Sequence, residues 1–296
     1  MSFKSGFVTI IGRPNVGKST LINNLIGQKI LIMSNKPQTT RNKIRTIYNG
    51  ENVQIIFLDT PGIHKPKNKL GEQMVKSAQE TLNEVDVIVF VVDNSKTIGA
   101  GDRYILEILK NVKTPVILAI NKIDIISPED FKNIFDMYSK YEFISDIIGI
   151  SAIKGTNTDK LLEIIISKLP EGPMYFPHDM ITDQPERFII SEIIREKLLH
   201  NLHEEVPHGI AVDLNFVKKR EDKDIIDIDA TIFCEKNSHK SIIIGKNGRM
   251  IKKIGKSARE EIERLLGSKV YMELWVKVKK DWRDNENILR SLGYKE

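Results

Sequence analysis

Up to about residue 169, the chain alternates short apolar runs with segments in which apolar residues recur at helical spacing. The runs lie at 7–11, 53–58, 85–92, 116–120 and 147–150, and each has the length of one buried strand. Regular alternation of strands and helices is typical of a mainly parallel sheet covered by helices. The pattern therefore predicts an α/β fold for this part of the chain.

One helix start in this region is explicit. Ser127 can cap the helix, Pro128 suits its first turn, and the acids at 129 and 130 complement the helix dipole. The residues predicted to face inward from this helix are Phe131, Ile134, Phe135 and Tyr138.

A different pattern follows a segment rich in proline and glycine. Residues 169–185 contain four prolines, at a spacing that helices and central strands do not tolerate. We predict a first domain at 1–172, a linker at 173–185 and a second domain at 186–296. The second domain has a helix at 186–202, strands at 210–217 and 225–233, two helices around Gly248 and a strand at 270–278. This order, α-β-β-α-α-β, predicts an α+β fold.

Composition limits the class of protein. The chain is 41% hydrophobic and 29% charged, as is ordinary for a globular protein. Its single cysteine, Cys234, lies in an apolar strand pattern and is expected to be buried. No apolar run approaches the roughly 18 residues of a membrane span, and the first residues do not resemble a signal peptide. We therefore expect a cytoplasmic protein.

A glycine-rich turn joins the first apolar run to the first helical segment. Its glycines let backbone amides point inward, Lys18 can reach the outer phosphates of a nucleotide, and the Ser19 hydroxyl can ligate Mg²⁺ at the helix N-terminus. The turn predicts a nucleoside triphosphate site. The candidate contacts are Gly12, Arg13, Pro14, Asn15, Val16, Gly17, Lys18, Ser19 and Thr20.

A second candidate nucleotide motif follows the run at 53–58. The carboxylate of Asp59 can hold Mg²⁺, and the amide of Gly62 can bond the terminal phosphate. Thr60, Pro61 and Ile63 complete the candidate contacts here. The position fits, because open α/β sheets bind ligands at the carboxyl ends of their strands.

Two further motifs select the base. Asn121, Lys122 and Asp124 follow the run at 116–120, and Ser151 and Ala152 follow the run at 147–150. A carboxylate such as that of Asp124 can accept both the N1 proton and the 2-amino group of guanine, while an amide near Ala152 can donate to O6. Adenine satisfies neither contact. The sequence therefore predicts a guanine nucleotide, GTP or GDP.

These motifs, in this order, resemble the Ras-like GTP-binding domain over most of the first 170 residues. The resemblance implies GTP hydrolysis with Mg²⁺ and assigns roles to the polar stretch Pro37-Gln38-Thr39-Thr40-Arg41. Thr40 would be the switch threonine that ligates Mg²⁺ and senses the terminal phosphate, although Thr39 stays open as an alternative. Ser19, Thr40 and Asp59 would hold the metal, and Lys18, Thr40 and Gly62 would act in catalysis.

One position departs from the Ras pattern. Ras-type enzymes place a water-orienting glutamine where this chain has Ile63, so intrinsic hydrolysis is expected to be slow. Asn15 matches an asparagine that helps to bind K⁺ in some related GTPases. Hydrogen bonding within the loop is an equal alternative for Asn15. His64 is expected to lie at the surface.

The second domain carries a glycine pair in a basic stretch. Two short helices would meet there, bringing a phosphate backbone close to main-chain amides. The candidate RNA contacts are Gly245, Lys246, Asn247, Gly248, Arg249, Lys252 and Lys253. With the α-β-β-α-α-β order, this half resembles a type II KH domain, which typically clamps about four single-stranded nucleotides. Alternation predicts that Trp275 faces the core, whereas Trp282 is open between packing and RNA contact.

The whole chain thus resembles a family of bacterial GTPases in which a Ras-like domain precedes a single KH domain. The fold class predicted is a P-loop GTPase domain with a mostly parallel sheet, then an α+β type II KH domain. The resemblance implies binding near the 3′ end of small-subunit ribosomal RNA, assistance in small ribosomal subunit maturation and loose contact with the inner membrane. We expect a monomer.

Two other functions stay open from the sequence. The basic stretch could read anionic lipid in a membrane-surface signalling GTPase, which would not need the glycine pair. The chain could also be an RNA-binding scaffold whose nucleotide is structural.

Overall fold

The computed structural model describes residues 2–34, 36, 39–61 and 68–294. They divide into two compact units. The first comprises residues 2–33, 40–61 and 71–183. The second comprises residues 184–294 together with 68–70 and the described residues of 34–39.

The first unit is built on a six-stranded sheet with the strand order β2-β3-β1-β4-β5-β6. Every pair of neighbouring strands is parallel except β2 and β3, which confirms the mostly parallel sheet. The strands are β1 (Lys4–Ile11), β2 (Ile44–Gly50), β3 (Val53–Asp59), β4 (Val87–Val92), β5 (Val116–Ile120) and β6 (Ile144–Gly149). Strands β3, β4 and β5 are buried at every residue, as the continuous apolar runs predict.

Helices follow the strands, as the alternation predicts. They are α1 (Lys18–Ile26), α2 (Lys69–Leu82), α3 (Ala100–Leu109), α4 (Pro128–Tyr138) and α5 (Thr158–Lys168). Apolar side chains of the sheet and of α2, α3 and α4 form a buried core that includes Phe90, Leu118 and Ile134. This packing fixes the strand ends from which the nucleotide motifs extend.

Strand β2 is absent from the sequence prediction. It pairs antiparallel with β3, with Gly50 opposite Val53. Its residues mix polar and apolar side chains, so they lack the continuous apolar run that marks the other strands. The short polar stretch at 49–52, which ends in a two-residue turn at 51–52, is the signal that could have indicated this hairpin.

The predicted start of α4 is confirmed. The Ser127 side chain accepts a hydrogen bond from the Asp130 amide at 3.1 Å, and Pro128 is the first helical residue. Ile134 and Tyr138 are buried as expected. The prediction for Phe135 is wrong: this side chain is 38% exposed and packs beside Phe131 at the margin of the core.

Residues within the proline-rich segment, up to residue 183, belong to the first unit. The buried side chain of Gln54, in β3, accepts hydrogen bonds from the amides of Tyr175 and Phe176 and donates one to the Phe176 carbonyl at 2.8 Å. These bonds hold 175–176 against the first residues of β3. The domain boundaries given above stay predictions.

The second unit has a three-stranded sheet with the order β7-β8-β9. Strands β7 and β8 are antiparallel, and β8 and β9 are parallel. The elements are α6 (Glu186–Asn201), β7 (Ala211–Lys219), β8 (Ile225–Cys234), α7 (Asn237–Ile244), α8 (Arg249–Leu266), β9 (Lys269–Val278) and α9 (Glu286–Ser291). The first six of these confirm the α-β-β-α-α-β order.

The two tryptophans differ in burial. Trp275 is 53% exposed, so the prediction that it faces the core is wrong. In β9 it shares a face with Glu273 and Lys277, and this alternation is the signal that could have shown its exposure. Trp282 is 0% exposed, and its indole nitrogen donates to the Gly209 carbonyl at 3.0 Å. Packing therefore accounts for Trp282, and Cys234 is buried as predicted.

Candidate nucleotide site and nucleic-acid groove

The nucleotide motifs converge at one edge of the first sheet. Each begins where a parallel strand ends: the glycine-rich turn after β1, Asp59 at the end of β3, Asn121 after β5 and Ser151 shortly after β6. Carboxyl ends of parallel strands meet at the same edge, so the topology brings the predicted groups together.

Two positions in the glycine-rich turn require glycine. Gly12 has φ of 156°, and a Cβ there would lie 2.4 Å from the Val91 carbonyl oxygen. Gly17 has φ of 102°, and a Cβ would lie 2.3 Å from Nδ2 of Asn121. Neither approach is possible for a residue with a side chain, so both glycines allow the turn to lie close to neighbouring strands.

Lys18 points into this turn. Its Nζ donates to the carbonyls of Gly12 and Arg13, each at 3.1 Å. Burial lowers its pKa to about 8, while the carboxylate of Asp59 opposes that shift. A buried ammonium group held by two neutral carbonyls is well suited to bind the anionic phosphates of a nucleotide.

The three predicted Mg²⁺ ligands lie together. Oδ2 of Asp59 accepts hydrogen bonds from Thr40 Oγ1 at 2.8 Å and from Ser19 Oγ at 3.2 Å, and the two hydroxyls are 3.3 Å apart. The second carboxylate oxygen of Asp59 is buried and has no hydrogen-bond partner among the described residues. Burial raises the pKa of Asp59 to about 6, against the lowering effects of Lys18, Thr40 and Ser19. One carboxylate and two hydroxyls are hard oxygen donors, which fits Mg²⁺.

The geometry favours one of the two switch threonines. Thr40 is buried and contacts Asp59, whereas the Thr39 hydroxyl donates to the Lys36 carbonyl at 2.7 Å. Thr39 is therefore engaged within its own loop, and Thr40 is the threonine placed to reach a metal.

Asn121 joins three loops of the site, a role that sequence reasoning missed. Its Nδ2 donates to the Val16 carbonyl at 2.8 Å, and its Oδ1 accepts from the amides of Lys122 at 2.8 Å and Ala152 at 2.9 Å. The glycine-rich turn and the base-recognition loops are thus fixed relative to one another. Only tertiary structure could reveal this, because the partners of Asn121 lie far apart in sequence.

Asp124 is oriented for base recognition. Its Oδ1 accepts a hydrogen bond from Ser151 Oγ at 2.7 Å, and this bond is the main cause that holds the pKa of Asp124 below its ordinary value. The carboxylate is therefore ionised at neutral pH and can accept protons from a guanine ring. Ala152, near which an amide is predicted to donate to O6, is buried, and its own amide donates to Asn121.

Arg13 anchors the outside of the glycine-rich turn. Its guanidinium donates to Asp102 at 2.9 Å, to Ser95 at 2.7 Å and to Asp93. Asp93 also lies 3.5 Å from the ammonium of Lys122. The motifs predicted Arg13 only as a nucleotide contact, whereas these ion pairs connect the turn to α3 and to the base-recognition loop.

The remaining predicted residues fall into two groups. Val16, Thr60 and Pro61 are buried, Pro14 and Thr20 are half-buried, and Asn15 is exposed with φ of 68°. Gly62, Ile63 and His64, with Pro37 and Gln38, lie outside the described residues. The predicted catalytic role of Gly62 and the expectations for Ile63 and His64 stay predictions.

The glycine pair of the second unit joins α7 to α8. Gly245 has φ of 72°, and a Cβ there would lie 2.7 Å from Cβ of Met250. Asn247 and Gly248 also have positive φ, of 54° and 72°. These conformations fold the backbone into a tight exposed turn, with the side chains of Lys246 and Arg249 in solvent.

A groove of about 450 Å³ lies between α8 and the edge strand β9. Its apolar lining comes from Ile251, Gly255, Met272 and Leu274. Its charged lining includes the predicted contact Lys252 and also Lys256 and Arg259, which are not among the predicted RNA contacts. Spacing along α8 is the signal, because Lys252, Lys256 and Arg259 recur every three or four residues and share one helix face.

Comparison with known proteins identifies both halves. The family described as "50S ribosome-binding GTPase" matches residues 7–122, and the family described as "KH domain" matches residues 205–283. GTPase Era from Alkaliphilus oremlandii is 63% identical over 294 residues, covering 99% of this chain and all of the relative. GTPase Era from Clostridioides difficile is 59% identical, covering 99% of both chains.

The chain belongs to the Era family of GTPases.

Solved structures of Era agree with this assignment. A crystal structure of Era in complex with MgGDPNP and nucleotides 1506–1542 of 16S ribosomal RNA matches with a TM-score of 0.96 and 45% identity, covering 99% of this chain and all of that one. A variant of Aquifex aeolicus Era bound to GDP·AlF4⁻ matches with a TM-score of 0.94 and 44% identity, over the same shares.

Membership of the Era family confirms the predicted fold and activity: the chain is a GTPase with a C-terminal KH domain. The KH match does not favour the membrane-surface signalling alternative, which would not need the glycine pair. Among the described residues, no helix has both the length and the apolar character needed to span a membrane.

Proposed function

We propose that this chain is a slow GTPase that binds GTP with Mg²⁺ and binds single-stranded small-subunit ribosomal RNA near its 3′ end, assisting small-subunit maturation. The observation that carries the proposal is the presence of two sites in one chain: the Ser19, Thr40 and Asp59 oxygen cluster and the basic groove of α8. The Era structure that is 45% identical holds both MgGDPNP and 16S ribosomal RNA, which supports the pairing.

The nucleotide site would act mainly by positioning. The ammonium of Lys18 exchanges its two carbonyl partners for phosphate oxygens, and Asp124 accepts two hydrogen bonds from guanine. Ser19, Thr40 and Asp59 hold Mg²⁺, which when bound neutralises phosphate charge. Thr40 would respond to the terminal phosphate through the metal, since its hydroxyl contacts the other two metal-binding residues, Ser19 and Asp59.

Slow hydrolysis is proposed because Ile63 stands where Ras-type enzymes orient water with glutamine. K⁺ beside the phosphates would stabilise the negative charge that develops during hydrolysis, with Asn15 as its ligand. Asn15 has a positive φ, so Asn15→Gly removes the side chain without backbone strain. If K⁺ binds there, hydrolysis by the parent chain is faster in KCl than in NaCl, and Asn15→Gly abolishes that difference while retaining GDP affinity.

The RNA groove would combine charge with apolar contact. Lys252, Lys256 and Arg259 neutralise phosphates, the tight turn at Gly245 allows close backbone approach, and Ile251 and Leu274 receive bases. Such a groove selects single strands, because paired bases cannot reach its apolar lining.

GTP would act as a timer for RNA binding, ordering the switch around Thr40 and being reset by hydrolysis. The test is crosslinking of the full chain to RNA, loaded with GDPNP or with GDP, followed by sequencing. We expect retained RNA to map near the small-subunit 3′ end, with greater recovery from the GDPNP form. Equal recovery from both forms would reject the timer, and RNA from unrelated regions would reject the assigned target.

Two further expectations belong to this proposal. Loose contact with the inner membrane is supported by the basic face of α8, and it predicts cosedimentation with anionic phospholipid vesicles that salt removes. A monomer predicts a sedimentation coefficient that does not depend on protein concentration. Neither property is required for the RNA groove to work.

A further inference from the structure

The second sheet has a solvent-facing side that the proposed function does not use. Phe216 in β7 is 48% exposed, and Tyr271 and Trp275 in β9 are 51% and 53% exposed. Side chains of the opposite side are buried against the helices. We call the exposed side the outer sheet face, defined by Asp213, Phe216, Asp229, Tyr271, Glu273 and Trp275.

Strand register places these residues in neighbouring rows. Asp229 of β8 lies between Phe216 and Glu273, its partners in β7 and β9. Thr231, two residues further along β8, lies between Asp213 and Trp275. Aromatic and acidic side chains are therefore adjacent across the strands, within reach of one ligand.

The aromatic groups on this face are held in place. Trp275 Nε1 donates to Asp229 at 2.9 Å, and Asp229 also accepts from the side chain of Asn215. The Tyr271 hydroxyl donates to Glu273 at 2.8 Å. An exposed indole fixed by a carboxylate loses little further freedom on binding, which favours a binding role over incidental exposure.

Charge indicates the kind of partner. The two central rows contain three carboxylates, those of Asp213, Asp229 and Glu273, and none of their six described residues is lysine or arginine, whereas Lys218 and Lys277 lie in the rows on either side. This is the reverse of the groove beside α8, which is basic. Three carboxylates repel an RNA backbone and attract cationic side chains.

The outer sheet face already contains one arginine bound between an aromatic ring and a carboxylate. The guanidinium carbon of Arg220 lies 5.5 Å from the centre of the Tyr271 ring while the same guanidinium pairs with Asp227. Aromatic ring and carboxylate together thus bind arginine at one end of the face. Trp275 beside Asp229 offers the same two groups, with the ring half exposed.

We propose that the outer sheet face docks an arginine-rich polypeptide segment of a protein partner, with a guanidinium stacked on Trp275 and cationic side chains paired to Asp213 and Glu273. This site is separate from the proposed GTP and RNA functions, except that Tyr271 also borders the groove. Exposed aromatic groups combined with acidic ones favour this partner over a nucleic acid.

The test uses the indole signals of the full ¹⁵N-labelled chain. The sequence contains two tryptophans, so two indole N–H signals are expected, and Trp275→Phe assigns them. The probe is a ten-residue peptide of alternating arginine and glycine, compared with one of glutamate and glycine and with a ten-nucleotide oligouridine. We expect the arginine peptide to shift the Trp275 signal saturably and to leave the signal of buried Trp282 unmoved.

Charge reversal makes the test specific. Asp213→Lys with Glu273→Lys is expected to weaken peptide binding roughly tenfold, because two ion pairs are replaced by repulsion. The matched control, Asp136→Lys with Glu142→Lys, makes the same change of charge at exposed positions of the first unit and should alter affinity less than twofold. An unchanged Trp282 signal shows that each variant is folded. If the charge-reversed chain does not fold, Trp275→Ala takes its place, with roughly fivefold weaker binding expected from fluorescence anisotropy of labelled peptide.

Several results would overturn the proposal. These are the absence of a saturable Trp275 shift, an equal loss in the control pair, a larger Trp275 shift with oligouridine than with the arginine peptide, and a Trp275 shift that grows with protein concentration alone. The last two would assign the face to RNA or to a second copy of the chain.

Discussion

Asn121 donates its side-chain amide to the Val16 carbonyl at 2.8 Å, and so ties the base-recognition loop to the phosphate-binding turn. The same side chain accepts the amides of Lys122 and Ala152. One buried residue therefore sets the distance between the two ends of the nucleotide site.

Replacing Asn121 should weaken nucleotide binding without any lost contact to the phosphates. Asn121→Ala removes three hydrogen bonds worth about 1 kcal/mol each, so affinity for GDP should fall about 100-fold. Fluorescent GDP displacement measures this. Asn111→Ala is the matched control, because Asn111 lies at the surface of the same unit and makes one long bond to the Glu107 carbonyl. An unchanged affinity in Asn121→Ala would contradict the role given to this residue.

Substitution of Thr40 and substitution of Thr39 should affect the Mg²⁺ dependence of GTP hydrolysis differently. Thr40→Ala removes a hydroxyl beside Asp59, so the Mg²⁺ concentration for half-maximal GTP hydrolysis should rise about tenfold. Thr39→Ala breaks only a local loop contact and should leave that concentration unchanged. Titrations of Mg²⁺ on both variants decide between them, and equal shifts would argue against Thr40 as the ligand.

Arg13 and Asp102 should show coupled effects on stability. Arg13→Gln leaves the nearly buried carboxylate of Asp102 without its cation, costing about 2 kcal/mol of unfolding free energy. Asp102→Asn in the same chain should recover at least half of that loss. Denaturant unfolding of the two single variants and the double variant completes the cycle. Additive losses would mean that the pair does not interact.

The salt dependence of RNA binding should report how many basic side chains of the groove beside α8 contact phosphates. Lys256→Gln or Arg259→Gln removes one phosphate contact, and the slope of log affinity against log salt should fall by about 1 in magnitude. A ten-nucleotide single-stranded RNA followed by anisotropy at several KCl concentrations gives the slope. Arg264→Gln changes charge on the same helix outside the groove lining and should keep the parent slope.

The stability of the first turn of α4 should depend on the Ser127 hydroxyl. Ser127→Ala removes the cap that accepts the Asp130 amide, at a cost of about 1 kcal/mol. The Asp130 amide should then exchange with deuterium about fivefold faster. Ser139→Ala at the other end of the helix should have no such effect, since the Ser139 hydroxyl donates to the Asp136 carbonyl and not to the first turn. Equal exchange rates of the Asp130 amide in both variants would mean that the Ser127 cap does not stabilise α4.

Much of the nucleotide site is predictable because it is local. Gly12 to Ser19, Asp59, and Asn121 with Asp124 each follow a buried strand, and a parallel sheet brings strand ends to one edge. Residue chemistry at each position then indicates phosphate, metal or guanine. The same holds for the glycine pair of the second unit, where two short helices must meet at residues that adopt positive φ.

By itself, the sequence determined the order of the elements and the chemistry that each motif offers, because strands, turns and caps depend on neighbouring residues. Only the tertiary structure decided which distant residues meet: the contacts of Asn121 and Arg13, and the burial of Trp282 beside the Gly209 carbonyl. Alternation gives two faces to a strand, but which face is covered depends on helices elsewhere in the chain. Burial is a property of the packed fold, and for that reason the outer sheet face emerged only from the structure.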